Sequence, residues 1–320
     1  MYHKNICVIG AGYWGYNHIK TLHELGALYG VVDSNPKTID KISQTYGYIK
    51  TFKDIDNALD DSKIKGFTVC TPPETHYQLS KKITSSRKHV LVEKPFTLDI
   101  SEAEELCNLS KKHSTIMMVG HVLLFHPAII KIKELIERGK IGKLQYIYSN
   151  RLNLGQVRTQ ENVFWSLAPH DIAIFQYLIG RQPNSIKASG SAFLQERIVD
   201  STITKLKYNG GVEGHIFVSW LHPFKEHRLV VIGSEAMISF QDSDEKKPLK
   251  FYSKKFDMKN GFPKKIDGPT KEIEYERKMP LTEELKYFLD SFNSGIVEKS
   301  DANHALEVTK ILVEASRQIK

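Results

Sequence analysis

An apolar run that ends in two opposite charges is the first place where this sequence could carry out chemistry. Residues 90–92 read Val-Leu-Val, and Glu93, Lys94 and Pro95 follow directly. Burying a charge is costly unless it is paired, so a buried strand rarely ends in this way. Glu93 and Lys94 could therefore be the working end of a site. The alternative is a charged strand end closed by a proline.

A glycine motif near the N-terminus predicts a nucleotide site. Gly10, Gly12 and Gly15 form a GxGxxG that follows an apolar strand pattern and opens a helical one, and a second strand pattern ends in Asp33. This context is the one that dinucleotide-binding domains require. The first glycine permits a tight turn, the second lets the backbone approach a pyrophosphate at the helix N-terminus, and the third allows close packing.

The carboxylate of Asp33 predicts which dinucleotide is bound. It can accept hydrogen bonds from the ribose hydroxyls and would repel a 2′-phosphate. The residues after it are Ser-Asn-Pro, with no arginine, so NAD is favoured over NADP, although Lys37 is near enough to leave NADP open. Tyr13 and Trp14, which lie inside the glycine motif, are expected to contact the cofactor.

Further cofactor contacts are expected after two other strands. Thr71, Pro72 and His76 follow the strand pattern at 66–71, and ligands bind at the carboxyl ends of strands in an open α/β sheet. His76 could equally be a solvent-exposed residue at a helix start. His121 follows the last strand pattern of this region and is a candidate contact to the cofactor or, in first place, to the substrate.

The positions of apolar residues predict two domains. Short strands alternate with helices up to about residue 120, which indicates an α/β Rossmann domain at 1–122. The second domain, 123–320, is predicted as α+β with a large, mostly antiparallel open sheet. Its terminal helix is allowed to pack back on the first domain. Strands are predicted at 144–152, 185–193, 201–208, 212–220, 228–232 and 237–240, helices at 127–138, 162–178, 282–293 and 302–319, and loops with one or two edge strands at 242–278.

Composition narrows the class of protein. The chain has 320 residues, 41% of them hydrophobic, and a net charge of +8, yet the charge comes with no nucleic-acid-binding motif. No apolar run is long enough to span a membrane, and no signal peptide precedes the first strand. The three cysteines are far apart, which favours a cytoplasmic location. The histidines have no established zinc spacing, so no metal is expected.

Several motifs together resemble the Gfo/Idh/MocA oxidoreductases. These are the glycine motif with Asp33, TPPETHY, EKPF, GHVLLFHPA, WSLAPHDI and DANHALEVTKILVEAS, in the family's order over nearly the whole chain. The resemblance implies an NAD(P)-dependent dehydrogenase or reductase of sugars, inositols or nucleotide-linked sugars. It also implies a homo-oligomer, a dimer or tetramer, formed through the C-terminal sheet.

The resemblance implies roles for individual residues. Lys94 would be catalytic: it would stand beside the nicotinamide and bind the substrate hydroxyl that becomes a ketone. Its positive charge would favour the developing alkoxide, and partial burial would lower its pKa toward neutrality. Glu93 would orient or tune Lys94, and the peptide bond before Pro95 would be cis. His170 would be the general acid or base. The family commonly has an aspartate four residues before this histidine, where this chain has Ser166. Either the Ser166 hydroxyl takes over the role of this aspartate or the carboxylate of Asp171 replaces it.

The segment 150–165 resembles a subgroup that oxidises the C3 hydroxyl of nucleotide-linked amino sugars, in first place UDP-N-acetylglucosamine, for a partner aminotransferase. A ketoreductase, a dehydrogenase of a free sugar or inositol, and a dinucleotide-binding sensor remain open. The predicted substrate contacts comprise two arginines for the pyrophosphate, two asparagines for the sugar, and residues of the following helix. They are Arg151, Arg158, Asn153, Asn162, Trp165, Ser166, His170 and Asp171.

Overall fold

The structure, a computed structural model, describes residues 2–155 and 157–319. The chain forms two compact units, each made of two segments. Unit 1 comprises Met1–Phe125 and Lys278–Thr309, and unit 2 comprises His126–Arg277 and Lys310–Lys320. The segment 278–309, which follows the predicted domain boundary, therefore belongs to unit 1.

Unit 1 is built on a six-stranded parallel sheet, as the predicted Rossmann domain requires. Its strand order is β3-β2-β1-β4-β5-β6. The strands are β1 (Ile6–Ile9), β2 (Leu28–Val32), β3 (Lys50–Phe52), β4 (Gly66–Val69), β5 (His89–Glu93) and β6 (Met117–Gly120). The helices that begin in this unit are α1 (Tyr13–Glu24), α2 (Pro36–Thr45), α3 (Ile55–Leu59), α4 (His76–Ser85), α5 (Ile100–His113), α8 (Pro280–Ser294) and α9 (Ala302–Ser316).

Local sequence signals explain where these elements begin. The Asn35 side chain caps α2, which has a proline in its first turn, and the Asp99 side chain accepts hydrogen bonds from the first backbone N–H groups of α5. All four residues of β1 and of β4 are buried, as expected for strands covered on both faces. The sequence analysis missed β3 and α3, because three and five residues are too few to display a period.

Unit 2 is an eight-stranded sheet with the order β14-β13-β12-β11-β7-β10-β9-β8. Among the strands of this sheet that the structure describes, only β7 and β10 pair in parallel, so the prediction of a mostly antiparallel sheet is confirmed. The strands are β7 (Leu144–Leu152), β8 (Pro183–Ser191), β9 (Ser201–Tyr208), β10 (Glu213–Ser219), β11 (Glu226–Gly233), β12 (Met237–Gln241), β13 (Leu249–Lys259) and β14 (Phe262–Glu272), and the helices are α6 (Pro127–Glu137) and α7 (Val163–Ile179).

The segment predicted as loops with one or two edge strands is in fact a long hairpin. β13 and β14 have eleven residues each, and β14 is the edge of the sheet. Nearly every residue of β14 is exposed. A strand that is exposed to solvent on both faces needs no alternation of apolar and polar residues. Its sequence therefore lacks the two-residue periodicity from which a strand is predicted.

Candidate active site

The glycine loop between β1 and α1 is seated tightly against β4. Gly10 has a φ of +86°, and a Cβ there would lie 2.8 Å from Thr71 Cγ2. A Cβ on Gly15 would lie 1.9 Å from the carbonyl oxygen of Gly10. At Gly12, by contrast, a Cβ would meet no atom of the described residues within 4 Å. The loop therefore leaves space in front of its middle glycine, at the N-terminus of α1.

Asp33 closes the other side of this loop. Its Oδ2 accepts a 2.8 Å hydrogen bond from the backbone N–H of Ala11, and its Oδ1 accepts one of the same length from Asn35. The carboxylate is half-buried and retains lone pairs for further donors. Tyr13 is 91% exposed and Trp14 is 38% exposed, so both aromatic rings are accessible at the loop.

These features fit a bound dinucleotide. In the part of the chain that the structure describes, no side chain caps the first N–H groups of α1, so they remain available to an anion. The space at Gly12 would admit a pyrophosphate, and the Asp33 carboxylate would accept ribose hydroxyls.

Glu93 is the buried centre of the charged strand end. Its Oε1 lies 2.8 Å from Nε2 of His18, which is fully buried on α1. Its partner in the sheet is Gly120, where a Cβ would lie 2.7 Å from Glu93 Oε1. Burial alone would raise the pKa of Glu93, but the hydrogen bond and charge of His18, with help from Trp14 and Lys94, lower it. Glu93 is therefore an ionised carboxylate held at a fixed place.

Lys94 follows this carboxylate at the carboxyl edge of the sheet. It is half-buried, and its backbone N–H donates a 3.3 Å hydrogen bond to Glu93 Oε2. The bond between Lys94 and Pro95 is cis, as the resemblance implied. The positive charge of Lys94 also acts on His121. The lowered pKa that we predicted for Lys94 stays a prediction.

His76 contacts the segments that follow β4 and β5. Its ring nitrogens lie 2.8 Å from the carbonyl oxygen of Pro95 and 2.9 Å from that of Thr71. The solvent-exposed alternative is wrong, because His76 is 1% exposed. Burial lowers its pKa. Pro72, in contrast, is exposed next to Thr71 and is accessible to a ligand.

His121 is buried beyond the end of β6. It is 2% exposed, and its ring makes an edge-on contact with His304, at 5.4 Å between centroids. Burial, followed by the charges of His304 and Lys94, lowers its pKa well below the usual range. His121 is therefore a neutral imidazole, because burial and the nearby positive charge of Lys94 disfavour its protonation.

In unit 2, two predicted substrate contacts bind each other. Arg151 Nε and Nη2 donate hydrogen bonds of 2.8 and 3.0 Å to the two carboxylate oxygens of Asp171. Both side chains are nearly fully buried. This bidentate pair fastens α7 to β7. It also occupies the two groups that we had expected to contact a pyrophosphate and a sugar.

The other predicted contacts in unit 2 remain more accessible. Ser166 and His170 are half-buried and one turn apart on α7. Asn162 caps this helix by accepting a 3.1 Å hydrogen bond from the backbone N–H of Trp165. Arg158 is exposed and lies 3.8 Å from Glu161. Asn153 is half-buried just after β7.

Two residues of unit 1 escaped the sequence analysis. His18 and Glu284 are buried polar residues within the apolar stripes of α1 and α8. A polar residue at a core position of a helix is the signal that could have found them. Across the described ranges, no cluster of side chains is suited to hold a metal ion, and no helix is long and apolar enough to cross a membrane.

Comparison with known protein families decides the class. Residues 4–121 match the model of an oxidoreductase family with an NAD-binding Rossmann fold, and residues 129–239 match the GFO/IDH/MocA C-terminal domain. The chain belongs to the Gfo/Idh/MocA oxidoreductase family. Unit 1 accordingly contains its NAD-binding domain, and the recognition made from the sequence motifs is confirmed.

Individual relatives of this oxidoreductase differ in substrate. The chain is 24% identical to UDP-N-acetylglucosamine 3-dehydrogenase of Acidithiobacillus ferrooxidans over 99% of this chain and 100% of that one. It is 26% identical to myo-inositol 2-dehydrogenase of Thermotoga maritima, over 73% of this chain and 74% of the relative. It is 29% identical to scyllo-inositol 2-dehydrogenase (NAD+) of Bacillus subtilis, over 74% of each chain.

The fold of a solved relative agrees over the full length. The structure of the Acidithiobacillus ferrooxidans UDP-N-acetylglucosamine 3-dehydrogenase has a TM-score of 0.88 to this chain, covers 100% of it and 98% of its own chain, and is 22% identical. This match extends through the second unit and confirms the two-domain fold.

Proposed function

We propose that this oxidoreductase is an NAD-dependent dehydrogenase that oxidises the C3 hydroxyl of a nucleotide-linked amino sugar, in first place UDP-N-acetylglucosamine. The observation that carries the chemistry is the buried Glu93–His18 pair, which holds the strand end that bears Lys94. What favours the substrate is the relative with that activity, which aligns over 99% of this chain, whereas the inositol dehydrogenases align over about three quarters.

Different residues of the chain bind the cofactor, bind the reacting hydroxyl and accept its proton. The N–H groups at the start of α1 hold the pyrophosphate, and Asp33 holds the adenosine ribose. When bound, NAD supplies the hydride acceptor. Lys94 binds the hydroxyl that is oxidised, and its charge stabilises the oxygen as the proton leaves. His170 remains the candidate for the base that takes this proton.

The substrate's pyrophosphate requires a cation that is accessible to a ligand. Arg151 is buried and bidentate with Asp171, so we assign this contact to Arg158, whose side chain is 51% exposed. Arg151 and Asp171 then serve the site by holding α7, which carries Ser166 and His170.

Turnover of defined substrates tests this assignment. The full-length protein with NAD is offered UDP-N-acetylglucosamine, other UDP-sugars, myo-inositol and scyllo-inositol, and the absorbance of NADH is followed. An aminotransferase with its amino donor is added in a second series to remove the ketone. We expect turnover with UDP-N-acetylglucosamine, increased by the aminotransferase. Turnover with an inositol and with no UDP-sugar would establish the second candidate, which the 29% identity to the scyllo-inositol enzyme favours.

We also propose that the protein is a cytoplasmic homo-oligomer that associates through the outer face of the large sheet. Neighbouring strands align half-buried Tyr148 with His215 and Val230, and the rings of Tyr148 and His215 stack at 5.1 Å. A half-exposed aromatic and aliphatic face of this kind is typical of an interface. Tyr148→Glu should convert the oligomer to monomer in light scattering, whereas Lys112→Glu, at an exposed position of α5 in unit 1, should not. A wild-type monomer would contradict the proposal.

A further inference from the structure

Helix α8 places an acidic residue in the core of unit 1. Leu281, Leu285 and Phe288 form its buried stripe, and Glu284 lies within the same stripe. Glu284 is 0% exposed, and within the described residues neither of its carboxyl oxygens has a hydrogen-bond partner. An ionised carboxylate without donors is strongly disfavoured in such a place, whereas a neutral carboxylic acid is tolerated.

Glu93 is the acid whose charge acts on Glu284. Its oxygens are supplied with donors, by His18 at 2.8 Å and by the backbone N–H of Lys94 at 3.3 Å. The two carboxyl groups respond in opposite directions. Burial, and then the charge of Glu93, raises the pKa of Glu284 well above its usual range, while the pKa of Glu93 is lowered. Such different surroundings favour a state in which the two interacting acids hold one proton between them, on Glu284.

The other titratable groups around this pair leave its charge unchanged. Burial, and then the charge of Glu93, raises the pKa of the Cys70 thiol on the neighbouring strand end well above its usual range, so it stays neutral. On α8 itself, Glu283 is partly exposed and lies 3.1 Å from Lys286. The charges that face the two acids are thus those of Lys94 and, when protonated, His18.

We propose that Glu284 is a positioning residue of the site: it holds a proton while Glu93 stays ionised. The two acids together then contribute one negative charge instead of two to the surroundings of the strand end that bears Lys94. The functional part of this proposal rests on the proposed function, in which Lys94 stands beside the nicotinamide. Ionisation of Glu284 would place a second negative charge in the core, and the charge balance beside Lys94 would change with it.

Infrared spectroscopy tests whether Glu284 holds the proton. The difference spectrum between wild type and Glu284→Gln at neutral pH should contain the carbonyl stretch of a protonated carboxylic acid. The matched control is Glu283→Gln, one residue earlier on the same helix, which should remove carboxylate bands only. Loss of carboxylate bands in the Glu284 variant would show an ionised Glu284 and overturn the proposal. Glu284→Met, which has a similar volume, serves in place of the glutamine variant if that one does not fold.

Binding of NADH as a function of pH tests the positioning role without any substrate. At alkaline pH, the affinity of the wild type for NADH should fall as Glu284 ionises. It should become about tenfold weaker than the affinity of Glu284→Gln, a difference in free energy that corresponds to roughly one pKa unit. Glu283→Gln should follow the wild-type curve. Superimposable curves for wild type and Glu284→Gln would overturn the positioning role. Neither measurement uses a sugar or an inositol. Both therefore test the role of Glu284 even if the substrate assignment is wrong.

Discussion

A buried pair of one basic and one acidic side chain lies in each unit, and the two pairs are built differently. In unit 1, His18 and Glu93 make a single 2.8 Å contact between two groups that can both change their protonation state. In unit 2, Arg151 and Asp171 make two contacts of 2.8 and 3.0 Å, and an arginine stays charged at any relevant pH.

Burial does not distinguish the two pairs. Side-chain exposure is 0% and 10% for His18 and Glu93, and 9% and 3% for Arg151 and Asp171. The difference lies in the donors. A bidentate guanidinium fixes the position of a helix, whereas an imidazole–carboxylate pair fixes a charge that can respond to its surroundings. The first kind suits a scaffold, and the second suits a strand end next to a reacting group.

Removing the amine next to the titratable pair should have the largest effect. Lys94→Ala should lower kcat by about 10³-fold or more, because the group that binds the reacting hydroxyl is lost. NADH binding, followed by fluorescence, should persist and weaken by no more than about tenfold, since one positive charge is lost while the glycine loop and Asp33 are intact. If the variant kept most of its turnover, Lys94 would not be the catalytic group, and the strand end held by the Glu93–His18 pair would not take part in the reaction.

Breaking the arginine pair should have the next largest effect, on stability. Arg151→Met leaves Asp171 buried without its partner, so the free energy of unfolding in urea should fall by about 4 kcal/mol. The double variant Arg151→Met, Asp171→Leu should recover most of this loss. The exposed pair of Lys205 and Glu213 is the control, and Lys205→Met should cost less than about 1 kcal/mol. A double variant as unstable as the single one would contradict the assignment.

Replacing His18 by glutamine should have the smallest effect, and one that depends on pH. The amide can still donate to Glu93, so the loss near neutral pH should be about 1 kcal/mol. The folded pKa of Glu93 lies below the ordinary value of 4.5, so its stabilisation is complete above that pH and is lost as the pH falls through the folded pKa. The glutamine variant should therefore lose less stability than wild type on acidification, which urea unfolding at two pH values measures. Equal losses would mean that His18 does not hold the charge of Glu93.

The nucleotide site could be predicted because its parts are close in the chain. The motif from Gly10 to Gly15 and the carboxylate of Asp33 lie within a single β–α–β unit, and the bond from Ala11 to Asp33 spans 22 residues. The order of strands and helices around them shows which edge of the sheet they share. The charged strand end was recognisable for the same reason, since three successive residues carry it.

The partners of these residues could not be predicted, because they come from distant parts of the chain. His18 and Glu93 are 75 residues apart, and Glu284 arrives on a helix near the end of the sequence. For Arg151 and Asp171 the residue types suited a ligand as well as they suit each other. Periodicity places a side chain on a face of its helix or strand, but it does not show what packs against that face.

Gly120 connects the chemistry of one strand to the composition of the next. Any side chain at this position would start 2.7 Å from a carboxylate oxygen of Glu93, so even alanine would displace the acid or open the two strands. The two positions are therefore under a joint constraint, and neither is free to change by itself. Among relatives that keep the buried acid, we expect a glycine at the end of β6, and the two residues should be lost or retained together.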